Sequence, residues 1–162
     1  MNSGPAEPLA GPRRARVAVL TPEGRGAIAV VRVWGPGAIE AADAAFRPAT
    51  GRRLAETRPG LPRFGWIGAG EGDEVVAVVI PGEPPEVEIH GHGGVAAVGL
   101  VIEALTIAGA ERRQPVAWVR HDARSLIEAE ACVDLARAPT LRTAEILLEQ
   151  AEGAFERELA RI

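Results

Sequence analysis

Glu86-Val87-Glu88-Ile89-His90-Gly91-His92 alternates polar and apolar side chains from end to end. Successive side chains of a strand point to opposite faces of a sheet. Glu88, His90 and His92 therefore share one face, and Val87 and Ile89 take the other. Pro81 to Pro85 just before it cannot be a strand interior. Further back, Phe64–Ile67 and Glu74–Ile80 read as two strands joined by the glycine-rich turn Gly68-Ala69-Gly70-Glu71-Gly72-Asp73. Downstream, Gly93-Gly94 opens a helix through about Ala108, with Val98, Val101, Ile102 and Leu105 on one stripe.

The N-terminal part supplies two more strands. Arg16–Leu20 sets Val17 and Val19 on one face, and the polar turn Thr21-Pro22-Glu23-Gly24-Arg25-Gly26 follows. Ala27–Trp34 is a β-branched run broken only by Arg32, the pattern of a strand buried on both faces. Gly35-Pro36-Gly37 ends it, Ile39–Phe46 reads as a short helix, and Arg47–Pro62 as a loop.

After the central helix, Pro115–Val119 reads as a last short strand. Ser125 followed by Glu128 is a capping-box signature that opens a helix through about Arg137. Pro139 breaks it, and Thr140–Ile162 reads as one long helix. Leu141, Ala144, Leu148, Ala151, Phe155 and Ile162 recur there at a spacing near seven, which suits packing on a second subunit or on the chain's own sheet. The order of elements predicts a mixed α+β domain followed by a helical extension. The expected divisions are a disordered leader at 1–15, the α+β domain at 16–123 and the extension at 124–162.

Composition narrows the function. The net charge of −4 gives no global pull toward nucleic acid, and all 18 basic residues are arginine. Without lysine these 162 residues hold no phosphate-binding P-loop, whose lysine reaches the nucleotide's outer phosphates. The single Cys132 excludes an internal disulfide and lies among Ala131, Val133 and Leu135, the setting of an inert thiol. No apolar run is long enough for a membrane span, and the N-terminus lacks the apolar core of a secretory signal, so the cytosol is expected.

Four segments, in order, resemble the tRNA-modification GTPases of the MnmE/TrmE family. Thr21-Pro22-Glu23-Gly24-Arg25-Gly26-Ala27-Ile28, running on to Val31-Arg32-Val33-Trp34-Gly35, is similar to the family's TPxGRGxI turn and its R-[IV]-x-G strand. Val87 to Gly94 is similar to VEIHCHGG, and Glu128-Ala129-Glu130-Ala131 through Asp134-Leu135 to QAEAxxDL. Leu148 to Ala154 is similar to the first helix of the family's central helical domain.

The resemblance implies the N-terminal domain of that family. This is a mixed β-sheet with flanking helices in the tetrahydrofolate-binding aminomethyltransferase-like fold, forming a dimer. It would hold 5-formyl- or 5,10-methylene-tetrahydrofolate for modification of the tRNA wobble uridine. The folate contacts it implies are Arg32 and Glu88. Their chemistry agrees: a carboxylate accepts the adjacent N–H and amine of a pterin in one planar pair, and an arginine inside an apolar strand needs an anion. Without a ligand, Arg32 would find a local Asp or Glu, and Glu88 a solvated strand face.

The chain departs from the family in three ways. The loop before the VEIH strand shrinks to Glu83-Pro84-Pro85-Glu86. The family's GEFTxRAFLNGKxDL stretch is replaced by the shorter Gln114–Leu126, without the folate-contacting lysine, whose charge Arg120 or Arg124 would supply. The GTPase module is not among these residues, so no catalysis by this chain alone is expected, and a separate GTPase or the family's FAD-dependent partner would complete it. Two other readings stay open: a ligand-free dimerising module, and a metal-dependent hydrolase with Glu88, His90 and His92 as ligands and His121 as a fourth.

Overall fold

The computed structural model describes residues 14–22 and 26–161. Residues 1–13 of the expected leader and Glu23–Arg25 of the first turn lie outside the described residues. The chain divides into two compact units, one reaching Arg112 and the other running from Arg113.

The first unit is a seven-stranded mixed sheet. It contains β1 (Arg16–Val19), β2 (Ile28–Trp34), β3 (Phe46–Pro48), β4 (Arg63–Ile67), β5 (Asp73–Ile80), β6 (Glu86–His92) and β7 (Glu111–Arg112). Their spatial order is β3-β4-β5-β6-β2-β1-β7; β7 runs parallel to β1 and every other pair is antiparallel. Helices α1 (Ala38–Ala45) and α2 (Val95–Ile107) share one core with the sheet. That core holds Val31 and Val33 of β2, Val75, Ala77 and Val79 of β5, Val87 and Ile89 of β6, and Ile102 and Leu105 of α2. The alternation expected of β6 holds, because Val87 and Ile89 are fully buried.

β2 differs from expectation. Val31 and Val33 point into the core, but Val30 and Arg32 on the opposite side are only half-buried. With both helices on the core side, that side of the strand lacks the helix cover a doubly buried strand needs. The expected loop at 47–62 is also more structured: β3 ends in it, and a 3₁₀ turn spans Leu54–Glu56. Asp43 of α1 holds the turn, accepting from Leu54 N at 2.6 Å and Ala55 N at 3.2 Å.

Gly65 is required by packing. A Cβ there would lie 2.2 Å from the Arg47 carbonyl oxygen and 2.6 Å from the Phe46 ring. β3 can approach β4 only because that atom is missing.

The second unit is helical: α3 (Pro115–Asp122), α4 (Leu126–Leu135), α5 (Leu141–Ala151) and α6 (Ala154–Leu159). The strand expected at Pro115–Val119 is the start of α3. Pro115 occupies the first turn, where its missing N–H costs nothing and its fixed φ suits a helix. The long helix expected from Thr140 is broken at Gly153, whose φ of +83° no right-handed helix permits. The Ser125 cap is present: its Oγ accepts from Glu128 N at 3.1 Å. Glu128 in turn accepts from Arg124 N at 2.8 Å, one residue earlier than the usual box.

Candidate functional site

The face of the sheet opposite the helices carries the polar residues. Cross-strand register sets Arg32 of β2 directly opposite Glu88 of β6, with Val78 of β5 opposite Glu88 on the other side. Val30 and Val76 flank His90 in the same way. Directly opposed residues project to the same face, so charged groups form a stripe bordered by valines.

The central group is Arg32. Its Nη2 donates to Glu88 Oε2, and its Nη1 to Glu86 Oε2 at 3.1 Å. The side chains of Arg32, Glu86 and Glu88 are 11%, 12% and 21% exposed. Water therefore screens this group weakly, and each charge depends on its partners. The second oxygen of Glu88 meets His90 Nε2 at 2.7 Å. Two carboxylates face one guanidinium beside a half-buried apolar border.

A second pair lies at the end of β6. His92 Nδ1 is 2.8 Å from Asp73 Oδ1, and the hydrogen bond and charge of Asp73 raise the His92 pKa above the usual histidine value. The two histidines are thus turned to different carboxylates. Among the described residues no group of three or more His, Cys, Asp or Glu side chains could hold a metal ion. The metal-hydrolase reading built on Glu88, His90 and His92 finds no support and is set aside.

Arg120 and Arg124 belong to the second unit. Arg120 Nε donates to Glu130 Oε1 at 3.0 Å. Arg124 grips Glu128 with Nε at 2.9 Å and Nη2 at 3.1 Å, which holds the Glu128 carboxyl below the usual range. Ser125 Oγ reaches Glu156 Oε1 at 2.5 Å and lowers that carboxyl as well. His121 also lies on α3 in this unit.

Two participants were missed from sequence. Glu86 begins the alternating run, and the period of two already put it on the Glu88 face. Asp73 carried no such signal, since its contact with His92 arises from the pairing of β5 with β6.

The fold and this site define an α+β domain with helices on one sheet face and a charged constellation on the other. The family model described as "GTP-binding protein TrmE N-terminus" matches residues 16–121. The chain belongs to that family. It is 34% identical over 157 residues to the tRNA modification GTPase MnmE of Symbiobacterium thermophilum, covering 90% of this chain and 34% of that protein. The MnmE of Geobacillus kaustophilus is 34% identical over 153 residues, covering 86% of this chain and 33% of that protein. For the Bacillus licheniformis protein of the same name the figures are 32% over 158 residues, 90% and 34%. The chain thus spans about a third of the length of the curated relatives it matches. Among the described residues no helix is long and apolar enough to cross a membrane.

Proposed function

We propose that this chain is a folate-holding domain that pairs with a second copy of itself in the cytosol and serves modification of the tRNA wobble uridine. The proposed fold type is the aminomethyltransferase-like one. The observation that carries the reading is the pairing of Arg32 with Glu88 across β2 and β6 on a half-buried, valine-bordered face.

The residues suit a pterin. The Glu88 carboxylate, held by Arg32 and His90, would accept an N–H and an amine presented side by side through its remaining lone pairs. Arg32 holds Glu88 in a fixed orientation, and the valines exclude water from the ring faces. A bound 5-formyl- or 5,10-methylene-tetrahydrofolate would supply the one-carbon unit. The chain's own part is to bind and orient it. Arg120 and Arg124, in the second unit, are engaged in exposed ion pairs with Glu130 and Glu128 and carry no part of this reading. A separate GTPase or an FAD-dependent partner would provide the remaining chemistry.

A second reading is a ligand-free pairing module. It is favoured by the closed Arg32–Glu86–Glu88 group, in which both Nη atoms of the guanidinium already have carboxylate partners. Calorimetric titration with 5-formyltetrahydrofolate separates the two. Saturable heat from the wild type that Glu88→Ala abolishes supports the folate site, and equal heats from both proteins contradict it.

A further inference from the structure

Helix α2 is apolar on every side. Of its 13 residues only Glu103 is charged, and Thr106 is the one other polar side chain. A helix of that kind belongs in an interior. The core takes one side of it, through Val101, Ile102 and Leu105. Towards its two ends Val95 is 81% and Ile107 80% exposed, and Ala96, Gly99 and Thr106 are exposed between them. This surface lies on the helix side of the sheet, away from Arg32 and Glu88.

A groove of about 380 Å³ runs beside it, between α2, the end of α1 and the turn after β4. Most of its lining is small: Ala44 and Ala45, Gly68 and Ala69, and Ala104. Leu100, Glu103 and Ile107 of α2 supply the larger side chains. Gly68 has a φ of +110°, and a Cβ on it would lie 2.0 Å from Leu100 Cδ2, so the turn closes against α2 only as glycine. Glu103 is exposed and has no ion pair or hydrogen bond among the described residues. Glu40 is equally exposed and unpaired there, one turn before Ala44 on the same face of α1. Neither helix carries a basic residue, although the chain holds 18 arginines.

We propose that the α1–α2 groove is a docking site for a basic amphipathic helix of a separate protein. An apolar face of such a helix fits a groove of this kind through anchors at i, i+3 or i+4, and i+7. The alanines and Gly68 leave room for those anchors, and an arginine or lysine beside them meets Glu103. The charges single out this occupant. A phosphate backbone or an anionic membrane surface selects basic faces, and these two helices have none. A second copy has no basic helix to offer, because every helix of this chain carries at least as many carboxylates as arginines. The folate reading plays no part in this site.

The test titrates the intact chain into a labelled helical peptide with leucines at i, i+4 and i+7 and flanking arginines, and into a copy with glutamates in place of the arginines. Fluorescence anisotropy gives the affinity, and amide NMR shifts locate the contact. The arginine peptide binds saturably and moves the signals of Ala44, Ala69 and Ile107, and the glutamate copy binds more weakly. Glu103→Gln weakens binding about twofold to fivefold, as the loss of an exposed ion pair does. Ala44→Arg sets bulk and like charge at the groove and weakens it about thirtyfold, the loss of a central anchor. Ala44 is exposed, so the variant keeps its fold, as circular dichroism would verify. Glu145→Gln, on the exposed side of α5, changes the net charge as Glu103→Gln does and leaves the affinity where it was.

No saturable binding of the arginine peptide, or equal affinity for the two peptides, overturns the site. Equal losses from Glu103→Gln and Glu145→Gln overturn it too, since the attraction would then follow overall charge. Shifts confined to other parts of the chain do the same. A dimer that Ala44→Arg splits would make the groove a contact between copies and refute the separate partner. Anionic vesicles that bind the wild type and not Ala44→Arg would refute it in favour of a membrane.

Discussion

Arg32 is held by two acids, and that redundancy sets a measurable energetic signature. Glu86→Ala leaves the guanidinium paired with Glu88, and Glu88→Ala leaves it paired with Glu86. Each single change removes one charge-assisted hydrogen bond but relieves repulsion between two carboxylates two residues apart on one strand face. We expect a net loss of about 1 kcal/mol for each, at the lower end for hydrogen bonds to charged groups. The double change removes both acid partners from a guanidinium that is only 11% exposed. Losing the acid partners of such a buried charge costs about 3–5 kcal/mol. Urea denaturation of the wild type, the two single variants and the double variant therefore yields a non-additive cycle, with the double exceeding the sum of the singles by about 1–3 kcal/mol. A double variant equal to that sum would refute the reasoning, since Arg32 would then be finding water or another acid at no penalty.

Three further outcomes follow from named contacts. Gly65→Ala forces a Cβ against the Arg47 carbonyl oxygen at 2.2 Å, and overpacking of this kind costs about 1–3 kcal/mol, read as a lower urea midpoint. Asp73→Asn returns the His92 pKa toward its ordinary value in an NMR titration. Because Asp73 raises the folded pKa, the stability it lends is complete below about pH 6.5 and fades as pH rises through the raised value. Ser125→Ala removes the cap on Glu128 N and the hydrogen bond to Glu156. It should cost about 1 kcal/mol in a denaturation of the helical unit and return the Glu156 carboxyl toward its usual range.

Much of the sheet was legible in the sequence because alternation is a strong constraint. A slip of one residue in β6 would turn Val87 and Ile89 outward, so their positions fix which side Glu88 and His90 take. Arg32 announced itself as a charge within a β-branched run, and the structure supplies the anions its burial requires. What failed depended on information beyond the local pattern. Val116, Trp118 and Val119 suggest a strand by side-chain type, while Pro115 after an extended Gln114 starts a helix. Gly153 interrupts a seven-residue spacing that continues on both sides, and the apolar pattern alone carries no sign of the turn. β7 consists of two exposed residues and exists only through its pairing with β1.

The sharpest test of the folate site follows the Glu88 carboxylate itself by carbon-13 NMR while 5-formyltetrahydrofolate is added. A saturable shift of the Glu88 signal that moves in step with the Arg32 guanidinium signal is the expected result. Saturable ligand binding that leaves both signals where they were would contradict it.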